Sequence, residues 1–176
     1  VFAKHREALA DLRNHFGSGN CRFRFQFISA AQPAGSEAGF RADAPLLQHN
    51  VKPKMIPSTA KGKKAFTYFK RIAESPKGWA LWEASVDFFR PHQIRAHAAL
   101  HEVPVMGDTL YGGAETPIQR ELHPKKQRAG LNFPSFHGLA LHLAEVQLVT
   151  GDLDTTILSK PPKHLRFLIR RMGLGE

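Results

Sequence analysis

Residues 21–28 read Cys-Arg-Phe-Arg-Phe-Gln-Phe-Ile, an alternation that puts Phe23, Phe25 and Phe27 on one face and Arg22, Arg24 and Gln26 on the other. A period of two is the mark of a strand with one buried face, so this chain must build a sheet and a layer to cover the phenylalanines. Partner strands are easy to find. Residues 65–73 set Phe66, Tyr68 and Lys70 against Ala65, Thr67, Phe69 and Arg71, and residues 79–88 set Trp79, Leu81, Glu83 and Ser85 against Ala80, Trp82, Ala84 and Val86. The turn residues Ser75-Pro76-Lys77-Gly78 between them predict a hairpin. Residues 139–149 and 153–158 predict two more strands, joined at Thr150-Gly151-Asp152.

Helices supply the covering layer. Residues 3–16 are rich in strong helix formers, with Ala10, Leu12 and Phe16 able to face inward and Gly17 to stop the helix. Val1-Phe2 before it reads as the tail of a strand, and with no initiator Met the N-terminus is expected to be cut or incomplete. After Pro161-Pro162, residues 163–172 predict a closing helix with Leu165, Leu168 and Ile169 inward and Lys163, Arg166, Arg170 and Arg171 outward. Residues 32–47, rich in Ala, Gly, Ser and Pro, read as a loop, and polar residues 116–133 as an exposed excursion. Residues 52–64 gather Lys52, Lys54, Lys61, Lys63 and Lys64 around Pro53, Pro57 and Gly62 in a mobile basic loop, either simply solvated or touching phosphate. With no repeat and no interior linker, residues 1–176 form a single α+β domain: a mixed, mainly antiparallel sheet flanked by helices and basic loops, with 13 Phe to fill its core.

Charge narrows the class of partner. Lys plus Arg number 25 against 15 acids, a net charge of +10, which favours a polyanion such as nucleic acid or simply a basic solvated surface. The lone Cys21 excludes an internal disulfide and a cysteine-built zinc site, and suggests a reducing compartment. No apolar run has the length to cross a bilayer and residues 1–12 lack a signal-peptide pattern, so a cytoplasmic monomer away from membranes is expected.

The densest chemistry lies in residues 88–113, FFRPHQIRAHAALHEVPVMGDTLYGG. Pro91 suits the first position of a helix over residues 92–101, with His92, Arg95, Ala96 and Ala99 on one stripe and Ile94, His97, Ala98 and His101 on the next. Arg95 sits near the helix start, where the macrodipole is already positive, so it calls for an anion, a carboxylate or a phosphate. The chain itself is expected not to supply that anion. Val103-Pro104 ends the helix, and Gly107-Asp108 and Gly112-Gly113 predict tight turns on either side of Tyr111. His97 and His101 have the spacing of two metal ligands but no third ligand at a characteristic distance, so no metal is expected.

His92-Gln93-Ile94-Arg95-Ala96-His97, with Pro104, Gly107-Asp108 and Tyr111-Gly112-Gly113 in order and spacing, resembles the active-site signature of the RluA-type pseudouridine synthases. A weaker likeness covers nearly the whole chain. The resemblance implies an RNA isomerase that detaches uracil from ribose and rejoins it through carbon without cofactor or metal, here on ribosomal or transfer RNA. It places Arg95 as the arginine that pairs with the nucleophilic aspartate and Phe25 where an aromatic ring, often tyrosine, packs against the flipped base. It makes Arg90, His92, Gln93, Lys63 and Lys64 candidate RNA contacts, with His92 and Gln93 also able to support the fold.

Two departures matter. Phe89-Arg90-Pro91 stands where the family commonly has Gly-Arg-Thr, and the Arg-Leu-Asp that carries the family nucleophile does not occur in this sequence. Of the six aspartates, Asp11, Asp43, Asp87, Asp108, Asp152 and Asp154, none has that context, and Asp108 suits a turn or capping role. As it stands the chain is therefore expected not to isomerise uridine. The rival expectations are a catalytically silent RNA-binding relative acting in ribosome assembly and, more remotely, a metal-dependent hydrolase using the histidines.

Overall fold

The alternating stretch becomes an inner strand of a six-stranded antiparallel sheet in the computed structural model, which describes residues 3–16, 18–30, 38–122, 134–150 and 153–175. The elements run α1 (Arg6–His15), β1 (Cys21–Ala30), β2 (Gly39–Asp43), β3 (Leu46–Gln48), β4 (Met55–Pro57), β5 (Phe66–Ser75), β6 (Trp79–Val86), α2 (Gln93–Leu100), α3 (Gln119–Leu122), β7 (Leu141–Thr150), β8 (Leu153–Leu158) and α4 (Lys163–Met172). Sheet order is β2-β5-β6-β1-β7-β8, and β3 pairs with β4 in a small second sheet. Every described pairing is antiparallel.

Register carries the sequence pattern into the core. Phe23, Phe25 and Phe27 lie opposite Val86, Ala84 and Trp82 on β6, and opposite Val146, Leu143 and Leu141 on β7. A bulge on β7 between the partners of Arg24 and Phe25 lets both runs keep their apolar residues on one side. On that face Phe27, Phe69 and Trp82 pack under Ile94 and Ala98 of α2 with Val103 and Val105. On the other face Ile28 and Leu81 pack with Met106, Leu165, Leu168 and Met172. Each large apolar side chain withdrawn from water contributes about 1.5–3 kcal/mol before chain entropy is set against it, so the two clusters fix both helices to the sheet. Trp82 keeps its indole N–H satisfied by donating to Ser29 Oγ at 2.9 Å.

Several expectations need correction. The segment read as a loop over residues 32–47 contains β2, an edge strand paired with β5, and the start of β3, while residues 32–37 lie outside the described residues. The basic segment at residues 52–64 is tied down by β4 and by reciprocal backbone bonds between Leu46 and Lys63 at 2.8 and 2.9 Å. Short strands flanked by proline and glycine leave little periodicity to read, which hid them. On α1, Ala10 is exposed and Phe16 is 45% exposed, although the Phe16 ring stacks on Phe23 at 5.4 Å. The excursion after Thr116 includes α3, whose Leu122 is buried in the α4 cluster; residues 123–133 lie outside the described residues, as do Val1-Phe2 and Gly17. Finally, the strand face that bears Arg22 and Arg24 carries acids as well as bases. Arg24 donates to Glu83 at 3.0 Å and to Glu145, bridging the strands on both sides of β1.

Candidate active site

The chain leaves β6 and enters α2 through a four-residue turn, Arg90-Pro91-His92-Gln93. It is closed by Gln93 N–H donating to Arg90 C=O at 3.1 Å, and Arg90 N–H returns a bond to Gln93 Oε1 at 2.9 Å. Pro91 holds the second place of the turn and His92 the third, at φ 54° and ψ 12°. That left-handed conformation is what a type II turn requires, and a residue with a Cβ adopts it at a cost of about 1–2 kcal/mol. The helix therefore begins at Gln93, after the proline and not at it. Its other end is a Schellman stop: Glu102 has φ 61°, Glu102 N–H donates to Ala99 C=O at 3.2 Å and Val103 N–H to Ala98 C=O at 2.9 Å.

Arg95 finds its anion within the chain, contrary to expectation. Its Nε donates to Asp108 Oδ2 at 2.6 Å and its Nη2 to Asp108 Oδ1 at 2.8 Å, a two-point grip on a carboxylate only 1% exposed. The bonds to Asp108 raise the guanidinium's pKa further, against the opposing pull of burial. Asp108 in turn accepts the N–H groups of Leu110 and Tyr111, each at 3.2 Å, so the Gly-Asp turn has the capping role expected of it. Close packing makes the turn specific for glycine, since a Cβ on Gly113 would lie 1.8 Å from Val105 O.

The grip delivers Tyr111 to a defined place. The Arg95 guanidinium lies 5.0 Å from its ring centroid, and the phenol oxygen accepts Met55 N–H at 2.7 Å while facing Met55 O and His92 Nδ1, each at 3.2 Å. A hydroxyl has one proton, so when it donates to Met55 O the imidazole donates to the phenol, and when it donates to the imidazole Met55 O goes without. Burial raises the phenol's pKa, and burial together with the Arg95 charge lowers that of His92, so both are neutral near pH 7. Beside Tyr111 a cavity of about 460 Å³ opens among Lys54, Met55, Ile56, Ala96, Ala99 and Leu110.

Behind α2 a buried chain of hydrogen bonds fixes the helix to β5. Gln93 Nε2 donates to Phe66 O at 2.8 Å and meets Thr67 Oγ1 at 3.3 Å; Thr67 Oγ1 meets His97 Nδ1 at 2.9 Å; His97 Nε2 meets Ala44 O at 2.9 Å. The Ala44 carbonyl requires a proton on Nε2, and because burial lowers the His97 pKa the ring is held neutral, so Nδ1 accepts the Thr67 hydroxyl proton. Both nitrogens of His97 are thus occupied by protein, and His101 stacks on Phe40 at 4.6 Å.

The residues singled out from the sequence fall into three places. Arg95, His92 and Tyr111 form the cluster above. Gln93 is 1% exposed with its amide engaged at both ends, so it supports the turn, one of the two roles expected of it. Phe25, half-buried on β1, meets the exposed Phe89 ring edge-on at 5.7 Å, and the next residue, Arg90, donates Nε to Lys64 O at 3.0 Å. The Lys63 and Lys64 side chains are exposed beside it. Among the described residues Arg90 has no carboxylate partner, whereas Arg95 does. Sequence reasoning missed Thr67 and Met55, whose roles come from tertiary contact alone.

No protein-family profile matches the chain. The uncharacterized RNA pseudouridine synthase YhcT of Bacillus subtilis is 30% identical over 163 residues, 92% of this chain and 47% of that protein. The ribosomal large subunit pseudouridine synthase D of Vibrio parahaemolyticus is 34% identical over 116 residues, 65% of this chain and 35% of that protein. The chain thus spans less than half the length of these relatives. In fold it is similar to human RNA pseudouridylate synthase domain containing 4, with a TM-score of 0.69 at 17% identity over 96% of this chain and 69% of that one. Human RNA pseudouridylate synthase domain containing 1 gives a TM-score of 0.64 at 15% identity, over 91% of this chain and 62% of that one. The antiparallel sheet flanked by helices, its likeness to pseudouridylate synthase domains and this sequence kinship agree: the chain belongs to the RNA pseudouridine synthases of the RluA type.

Proposed function

We propose that the chain is the RNA-facing part of an enzyme that isomerises uridine to pseudouridine in ribosomal or transfer RNA, working as a cytoplasmic monomer without metal or cofactor. In that reaction the C1′–N1 bond breaks, a C1′–C5 bond forms, the C5 proton leaves and N1 gains one. The target base has to leave its stack to react, and Phe25 with Phe89 offers it an aromatic wall at the end of β6. The observation that carries this reading is the guanidinium of Arg90, one residue after Phe89, which among the described residues has no carboxylate partner. A cation without a carboxylate of its own is the one available to an incoming aspartate or phosphate, because it keeps a carboxylate ionised where water is excluded.

This assignment moves the arginine role from Arg95 to Arg90. Arg95 already spends its charge on Asp108, which makes it a positioning residue for Tyr111 and His92. By the same token Asp108 is not a free nucleophile. Since the sequence holds no Arg-Leu-Asp, the nucleophile is assigned to residues beyond it.

Tritium release from RNA labelled at uridine C5 tests the reading. A protein that joins this chain to an Arg-Leu-Asp segment should release tritium, and Arg90→Ala should slow it by about a hundredfold or more without lowering the melting temperature. Binding of RNA with no release by such a protein would favour the silent RNA-binding relative instead. Undiminished release by Arg90→Ala would return the arginine role to Arg95.

A further inference from the structure

The face of β5 turned away from the core carries an arrangement that shares only Arg90 with the proposed reaction and extends well beyond it. Thr67 and Phe69 point inward and are buried, so Phe66, Tyr68 and Lys70 point outward, and Tyr68 is 48% exposed. Arg41, directly across the β2–β5 ladder from Tyr68, lays its guanidinium 5.2 Å from the Phe66 ring centroid and 5.5 Å from that of Tyr68. Phe66 meets Tyr68 at 6.0 Å and Phe88 at 5.6 Å, and the Arg90 guanidinium lies 5.4 Å from the Phe88 centroid. Arg41, Tyr68, Phe66, Phe88 and Arg90 therefore form one continuous strip of rings and planar cations, running from the edge strand to the turn that begins α2.

We propose that this strip is a track for single-stranded RNA leading to the Arg90 turn, with bases stacking on Tyr68 and the Arg41 plane and phosphates meeting Arg90, Lys63 and Lys64. The inference rests on the RNA-acting reading above and adds the strand state of the substrate and the path it takes. Three observations select this occupant. Charge favours a polyanion: against Arg41, Lys70, Arg90, Lys63 and Lys64 the strip itself sets Asp43, which pairs with Arg41 at 2.8 Å, and Glu83, opposite Lys70, is held by Arg24. Exposed rings and guanidinium planes favour unstacked bases, which a duplex keeps closed. The strip also ends at a turn whose Arg90 guanidinium has no carboxylate partner among the described residues, so a strand lying on it is led to the candidate site.

Fluorescence anisotropy with a labelled short oligouridylate and a labelled hairpin duplex tests this. Tyr68→Ala should weaken oligouridylate binding roughly five- to hundredfold, the size expected for one lost stacked base, and leave duplex binding unchanged. Tyr68→Phe should keep wild-type affinity, and Arg41→Lys, which keeps the charge and loses the plane, should fall between. Arg166→Ala, on the outer side of α4, removes one cation as a control and should alter both probes equally and slightly. Equal loss on both probes for Tyr68→Ala, or no loss with the fold intact by circular dichroism, would overturn the track while leaving the enzyme reading in place. Wild-type protein that binds neither probe would instead remove the RNA reading on which the track stands.

Discussion

Arg95 shows how far elementary electrostatics carries at the scale of a single residue. A cation on the first turn of a helix needs a counter-charge, and the sequence contained the partner thirteen positions later in a Gly-Asp turn, yet nothing in linear spacing joins the two. The demand was legible and the supplier was not, because their meeting depends on the Schellman stop that reverses the chain at Glu102 and on Val105 passing beneath Gly113. Removing one partner should be costly. Arg95→Ala leaves the Asp108 carboxylate 1% exposed without its cation, a loss of about 3–5 kcal/mol in urea unfolding. Combined with Asp108→Asn, the two changes should couple by about 1–3 kcal/mol, and strict additivity would show that the pair does not act as a unit. In an active protein Arg95→Ala should lose turnover and stability together, whereas Arg90→Ala loses turnover alone.

Among the elements, β1, β5, β6 and α4 could be read from periodicity because each has a wetter and a drier face over eight residues or more, and strands of that kind leave a period of two in the sequence. By contrast β8, with Ile157 and Leu158 exposed, was legible only from the turn before it. The short strands β2, β3 and β4 could not, since three to five residues beside proline and glycine establish no period. The start of α2 was misplaced for a local reason: Pro91 serves both a helix start and the second place of a turn, and only the positive φ of His92 decides between them. What fixes α2 on β5 is the buried Gln93–Thr67–His97 chain, and that linkage has a pH signature. Burial holds the folded pKa of His97 below 6.5, so between the two values the unfolded chain binds more protons than the folded one. Stability from this group is complete above about pH 6.5 and is lost as pH falls through the folded value; His92, also lowered, adds to the same trend. The melting temperature should fall between about pH 7.5 and pH 5, and His97→Gln should make that fall shallower even if it starts lower. Parallel curves for the two proteins would mean that His97 does not titrate on unfolding in this range.

For the whole molecule, a charge of +10 was the first hint of a polyanionic partner, and the fold gathers part of it in one place. Lys63 and Lys64 flank the Arg90 turn because the backbone of Lys63 is bonded to Leu46 and that of Lys64 to the Arg90 guanidinium. If both lysines meet phosphate, the logarithm of the RNA association constant should depend less steeply on the logarithm of salt concentration in Lys63→Gln/Lys64→Gln. The slope should flatten by about 1.4, from roughly 0.7 per phosphate contact on a single strand. An unchanged slope would assign those side chains to the solvated surface.

His92 sits at the junction of these scales, in a backbone conformation that glycine would occupy at ease. Its discomfort is borne by neighbours that leave it nowhere else to go, the proline before it, the glutamine after it and the phenol across from its ring. A turn clamped from both sides in this way has one arrangement available to it, so Arg90 and the His92 ring are presented in fixed positions without the freedom an open loop would give them.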